Sequence, residues 1–168
     1  MNLMDLIRTR RSVRKYKPDP VDEAVLNDLL EAARLAPSWG NTQPCRFVVV
    51  TDTAARKALA GDRAWMLDAP VIVAVCCDTV DCGHKDDLQY YMLDAGIAME
   101  HLVLAAREKG LGTCWIGWFD EAVANRTLNV PEGFRCVALT PLGVPAEEPG
   151  PVTNRRPLDE IVVREKFD

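Results

Sequence analysis

Apolar positions along this chain recur at two periods, and the longer period marks helices. Leu3, Leu6 and Ile7 lie at helical spacing and predict a short helix over residues 3–9. Val25, Leu26, Leu29, Leu30 and Ala33 form a second stripe, opened by Asp22 as an N-cap and ended before Pro37. A shorter helix is expected over residues 54–60, stopped by Gly61. The longest stripe, from Leu88 through Tyr91, Met92, Ala95, Met99, Leu102 and Val103 to Ala106, predicts a helix over residues 87–109 with Gly110 and Gly112 behind it. Its small residues Ala95, Gly96 and Ala98 beside large ones suit burial on more than one side, in a core or at a subunit interface. A last helix runs from the Asp120 cap to Leu128.

Unbroken apolar runs predict buried strands over 47–50, 71–75 and 135–142, with a short strand or turn over 113–116. Residues 38–44 form a polar loop that leads into the first strand, and residues 10–16 leave the first helix as an extended segment. Pro145, Pro149, Pro151 and Pro157 make residues 144–168 an extended tail. Its apolar Ile161, Val162 and Val163 suit packing along a partner subunit. No repeat or linker divides residues 1–168, which read as one domain.

Composition narrows the classes. At 48% hydrophobic residues the 168-residue chain can fill a core. A net charge of -5 gives no long-range attraction to nucleic acid or an anionic membrane, so no partner of either kind is expected. With no secretory pattern and no apolar run long enough to span a bilayer, a cytoplasmic location is expected. The six cysteines show no repeated Cys-x-x-Cys unit. Reduced thiols and no metal site are expected, with adjacent Cys76 and Cys77 as strand residues. His101, inside the longest helix, reads as structural.

Against that acidic balance, residues 10–16 hold Arg10, Arg11, Arg14 and Lys15 together with Ser12. Guanidinium forks match phosphate oxygens in charge and geometry, and a serine hydroxyl adds a hydrogen bond, so a bound phosphate is one reading. A solvated basic turn is the other. Lys15 takes no assigned role.

Three motifs follow in order: Arg10-Arg11-Ser12-x-Arg14, then Ala36-Pro37-Ser38-x-x-Asn41-x-Gln43-Pro44, then the run from Gly110 to Gly117. A tail with Gly143-x-Pro145 and Arg155-Arg156-Pro157 completes the set. Together they resemble the FMN-dependent nitroreductase family over nearly the whole chain. The resemblance implies an α+β fold, with a mostly antiparallel central sheet flanked by helices, in an intertwined homodimer holding FMN at its interface.

By that similarity, Arg10, Arg11 and Ser12 would hold the FMN phosphate, and Arg155, more than Arg156, would add a cation. Arg14 would reach the pyrimidine edge near N1 and O2, where a guanidinium favours the reduced flavin. Pro37, Ser38, Trp39, Asn41 and Gln43 would touch flavin from the other subunit. Trp115, Ile116, Gly117 and Trp118 would approach flavin N5, with the backbone N–H of Gly117 or Trp118 as the donor. Packing is the alternative reading for the two tryptophans, and a helix-to-strand connection is the alternative for the 38–44 loop. Cys114 reads as an inert buried thiol. No side chain is implied as an obligatory acid or base.

The implied reaction is ping-pong. NAD(P)H delivers hydride to flavin N5 and leaves, and an electron-poor small molecule (a nitroaromatic, a quinone or a flavin) takes the electrons. A flavoenzyme with a specialised substrate or a protein electron donor is an alternative, as is a non-catalytic FMN-binding sensor or carrier. Larger members carry a helical insertion over the substrate face. Here only residues 78–86 fill that connection, which implies an open site.

Overall fold

The structure is a computed structural model and describes residues 1–167. Helix starts follow side-chain caps. Asn2 accepts from the Asp5 N–H at the start of α1 (Leu3–Thr9), and Asp22 accepts from Ala24 and Val25 at α2 (Glu23–Arg34). Asp52 caps α3 (Thr53–Ala60) and Asp120 caps α5 (Glu121–Leu128) in the same way.

Four strands make the central sheet: β1 (Cys45–Val50), β2 (Val71–Asp78), β5 (Gly112–Thr113) and β6 (Phe134–Gly143). Their order is β1-β2-β6-β5, and every pairing is antiparallel. Seven of the eight β2 residues are buried, because helices cover both faces. Val71, Val73, Val75 and Cys77 alternate onto the face covered by α2 and α4 (Tyr91–Glu108), while Ile72, Ala74 and Cys76 join the core beside α3 and α5. The observed architecture is therefore the expected α+β fold: an antiparallel central sheet flanked by helices.

Besides strand ends that shift by one to three residues, three features differ from the sequence expectation. The long helix starts at Tyr91 rather than 87, because residues 84–89 form a small hairpin of β3 (His84–Lys85) and β4 (Leu88–Gln89) turned at Asp86 (φ 54°) and Asp87. Leu88, assigned to the apolar stripe from its spacing, is 66% exposed in that hairpin. The connection after β2 is thus an ordered hairpin rather than a plain polar loop. A 3-10 turn over Ala64–Asp68, not expected from the sequence, buries Met66 beneath the sheet.

The third difference is in the tail. Residues 144–146 run along residues 15–17 of the same chain, with Lys17 N–H donating to the Val144 carbonyl and Ala146 N–H to the Lys15 carbonyl. Further on, α6 (Leu158–Ile161) interrupts the extended course, with Pro157 at its N-cap position. Leu158, Ile161 and Phe167 are exposed. The expected packing of the tail on a second subunit concerns a chain beyond this protomer. Among the described residues, no helix is long and apolar enough to cross a membrane.

Candidate functional site

The basic segment is seated by its apolar residues. Val13 and Tyr16 are buried while Ser12, Arg14 and Lys15 are exposed, so the segment is pinned to the core at two points three residues apart. Val13 N–H donates to the Thr113 carbonyl at 2.8 Å, and Tyr16 Oη donates to the Val13 carbonyl at 2.7 Å. Gly112 is what permits the approach: a Cβ there would lie 2.8 Å from Val13 Cγ2. Residues 10–14 therefore run beside β5, and the first and third sequence motifs meet.

Four cations of this segment take separate partners. Arg10 Nε lies 3.7 Å from a Glu100 carboxylate oxygen on α4, and the other oxygen of Glu100 accepts from Trp115 Nε1 at 3.1 Å. Arg11 donates to the Gly150 carbonyl. Lys15 pairs with Glu147 at 3.0 Å, which gives that residue a role in holding the tail. Arg14 makes no ion pair within 4.0 Å among the described residues; its guanidinium carbon sits 5.9 Å from the Trp65 ring centroid. Ser12, Arg14, Lys15, Trp65 and Glu147 line an open cleft of about 330 Å³.

The segment after β5 continues the sheet at one point. Ile116 and Leu139 exchange both backbone hydrogen bonds, at 2.9 and 3.0 Å, and Cys114 N–H donates to Thr140 Oγ1 at 3.1 Å. Beyond Ile116 the pairing ends, and Gly117 and Trp118 are exposed, Trp118 at 87%. Neither backbone N–H of this pair has an acceptor among the described residues. Cys114 is 2% exposed.

The 38–44 loop is built differently. Gly40, Asn41 and Gln43 have φ of 52°, 57° and 51°, a left-handed turn that glycine and asparagine tolerate best. Ser38 Oγ accepts from the Gln43 N–H at 2.9 Å and closes it. Trp39 stacks on Tyr90 with centroids 5.9 Å apart and planes 7° from parallel, and a Cβ at Gly83 would come within 2.1 Å of its ring. Pro37 and Ser38 line a cleft of about 160 Å³ with Cys45 and Asp94.

Asp94 anchors that loop from α4. Its Oδ1 accepts from the Trp39 N–H at 3.0 Å, while its Oδ2 is buried with no partner among the described residues. Burial pushes the Asp94 carboxyl above the usual carboxylate range, against the lowering effect of the Trp39 hydrogen bond. Asp94 and Glu100 went unassigned in the sequence reading. The available signal was an acid at position 94 on the apolar face shared by Tyr91, Ala95 and Ala98. His101 faces α2, with Nδ1 3.3 Å from the Ala32 carbonyl, a packing contact as expected.

Within one chain the loop and the basic segment stand apart. The loop enters β1, one edge of the sheet, whereas residues 10–14 border β5, the other edge. Arg155 is exposed on the tail with no ion pair among the described residues, and Arg156 is likewise exposed. The Arg14 guanidinium, which pairs with no acid among the described residues, and the open cleft beside it fit an anionic group, while the free N–H groups of Gly117 and Trp118 lie at other clefts of the same chain.

Known proteins share this chain's sequence pattern and fold. The sequence profile of the nitroreductase family matches residues 7–63 and 57–144. An NADH dehydrogenase of Thermus thermophilus is 32% identical over 92% of this chain and 91% of its own. A 5,6-dimethylbenzimidazole synthase of Rhodospirillum rubrum is 34% identical over 85% of this chain and 82% of its own. The solved NADPH:FMN oxidoreductase of Vibrio harveyi, complexed with NAD+, superposes with a TM-score of 0.89 at 26% identity, covering all of this chain and 79% of that one. The chain belongs to the nitroreductase family. At the level of that family it is an FMN-dependent NAD(P)H oxidoreductase.

Proposed function

We propose that this protein is a homodimeric flavoenzyme whose two FMN sites lie at the subunit interface, each built from both chains. The observation that carries the reading is the seating of residues 12–13 on Thr113, which holds the Arg10–Arg14 cations against the start of the segment that leads to the free Gly117 and Trp118 N–H groups. Arg10, Arg11 and Ser12 hold the phosphate, with Arg155 as a further cation, and Arg14 lies at the pyrimidine edge. Gly117 or Trp118 offers its N–H to the ring. Pro37, Ser38, Trp39, Asn41 and Gln43 of the partner subunit complete the pocket, since each chain keeps its own loop at the opposite sheet edge.

When bound, FMN supplies the redox chemistry, accepting hydride from NADH or NADPH and passing electrons to an electron-poor small molecule. The protein's part is to bind, orient and tune. Arg14 places positive charge where reduction adds negative charge, and this favours the reduced form. An exposed apolar stripe on α4, formed by Met92, Leu93 and Ile97, and another on α1, formed by Leu3, Met4 and Ile7, supply surface for dimerisation.

Subunit mixing tests the composite site. One variant, Arg10→Ala with Ser12→Ala, and a second, Trp39→Ala with Asn41→Ala, are each expected to lose FMN. Dissociated and mixed equally, they are expected to regain about one quarter of the sites, because half the dimers are hybrids with one intact site each. No recovery in hybrids shown to have formed would refute the shared site.

A further inference from the structure

Four of the six cysteines face one another in pairs across adjacent strands. Cys45 of β1 lies opposite Cys77 of β2, and Cys76 of β2 lies opposite Cys136 of β6. The hydrogen bonds that flank each pair define its geometry. Asp78 N–H donates to the Pro44 carbonyl, which makes Cys45 and Cys77 a non-hydrogen-bonded pair, the position where opposed residues in an antiparallel ladder come closest. Thr79 N–H donates to the Gly133 carbonyl, which places Cys76 and Cys136, three residues along, in the same kind of position. The expected Cα separation at such positions, ~4.5 Å, falls within the span a disulfide bridges.

Access separates the two pairs. Cys76 and Cys136 are each 3% exposed. Cys45 is only half-buried, and it lines the cleft of about 160 Å³ between α2, the 36–38 segment, β1 and α4. Its Sγ lies 3.2 Å from Cys77 Sγ, while Cys77 itself is fully buried behind it. One thiol meets solvent and its partner waits within contact distance.

We propose that Cys45 and Cys77 form a thiol–disulfide exchange site for low-molecular-weight disulfides, reached through this cleft, with Cys45 attacking and Cys77 resolving. The Cys45 thiolate attacks one sulfur of the small disulfide, forming a mixed disulfide and releasing one thiolate, which takes up a proton. Cys77 then attacks the Cys45 sulfur, forms the protein disulfide and releases the second small thiol. Two electrons and two protons leave the protein dithiol and reduce the small disulfide to two thiols.

The environment favours this division of labour. Sharing the Cys77 hydrogen bond and facing Arg46 lower the Cys45 thiol, against burial and the nearby Asp94 carboxylate; burial and the same shared hydrogen bond push Cys77 up. The disulfide would clamp the first residue of β1 to β2, directly behind the loop closed by Ser38 and Gln43. The inference goes beyond the flavin reading and borders on it, because Pro37, Ser38 and Gln43, which that reading sets against FMN, also line the cleft; the mapped cross-link is a readout that involves no flavin.

The test uses the intact reduced protein, incubated without oxygen with glutathione disulfide, quenched with iodoacetamide and mapped by peptide mass spectrometry. A Cys45–Cys77 cross-link is expected, at least about 10-fold ahead of any Cys76–Cys136 cross-link and reversed by dithiothreitol. Cys77→Ser and Cys77→Ala are expected to stop at a glutathione adduct on Cys45; should either fail to fold, the wild-type measurement decides alone. A Cys45 that stays fully alkylatable, a wild-type adduct that persists without cross-linking, or a Cys76–Cys136 bond formed as fast would each overturn the proposal.

Discussion

Replacing Gly112 with alanine tests whether packing behind the basic segment sets the geometry of its cations. The new Cβ would lie 2.8, 2.9 and 3.0 Å from Cγ2, Cβ and Cγ1 of Val13. Carbon atoms pack best at ~3.5–4.0 Å, so the segment must retreat by roughly half an ångström to one ångström. Rotating the Val13 side chain cannot relieve the clash, because its own Cβ is among the close atoms. The retreat stretches the 2.8 Å bond from Val13 N–H to the Thr113 carbonyl and carries the flanking Ser12 and Arg14 away from β5.

Overpacking of this kind costs about 1–3 kcal/mol, which in a chain of this size lowers Tm by roughly 2–12 °C. Loss of one charge-assisted contact, ~1.5–3 kcal/mol, raises the FMN Kd by about 10-fold or more. Thermal unfolding by circular dichroism reads the first effect, and fluorescence titration of the apoprotein with FMN reads the second. Val13→Ala removes two of the three close atoms, so the double variant should be more stable than the two single losses summed, by at least about 1 kcal/mol. Additive losses within about 0.5 kcal/mol, or an FMN Kd unchanged by Gly112→Ala, would refute the reasoning.

Arg10→Ala with Ser12→Ala should weaken FMN binding by more than ~10-fold while leaving the far-ultraviolet spectrum intact; unchanged affinity removes these residues from the phosphate site. Arg14→Ala should lower the midpoint potential of bound FMN, read by spectroelectrochemistry, and an equal or higher potential would contradict its placement at the flavin ring. Asp94→Asn keeps an acceptor for the Trp39 N–H and removes a buried charge. Because the folded carboxyl is raised, the stability that Asp94 contributes is fully present below the unfolded carboxylate value of ~3.9 and is lost as pH rises through the folded value. The Tm advantage of Asp94→Asn should therefore be larger at pH 7 than at pH 4, and an advantage independent of pH would dismiss the burial argument.

Much of the fold was legible because apolar periodicity and caps agree. Asp22 and Asp120 sit where helices start, and the runs beginning at Val71 and Arg135 lie in strands buried on both faces or nearly so. Leu88 misled at the start of the long helix, since a two-residue turn at Asp86 and Asp87 absorbs it into a hairpin that spacing alone does not mark. The motif residues were legible as types. Their tertiary partners were not: Glu100 holding both Arg10 and Trp115, Asp94 holding Trp39, and Glu147 holding Lys15 are all contacts between residues more than fifty positions apart or on separate elements, except that Glu100 and Trp115 are fifteen apart. The Cys45–Cys77 pairing likewise depends on strand register, which composition does not reveal.

The central claim is that bound FMN here takes electrons from reduced nicotinamide. Anaerobic stopped-flow mixing of the FMN-loaded protein with NADH and, separately, NADPH tests it most directly. Loss of the oxidised flavin absorbance with at least one of the two, followed by its return when an electron-poor acceptor such as a quinone is added, is the expected result. FMN-loaded protein that neither nucleotide bleaches, while a reduced protein donor does, would contradict it.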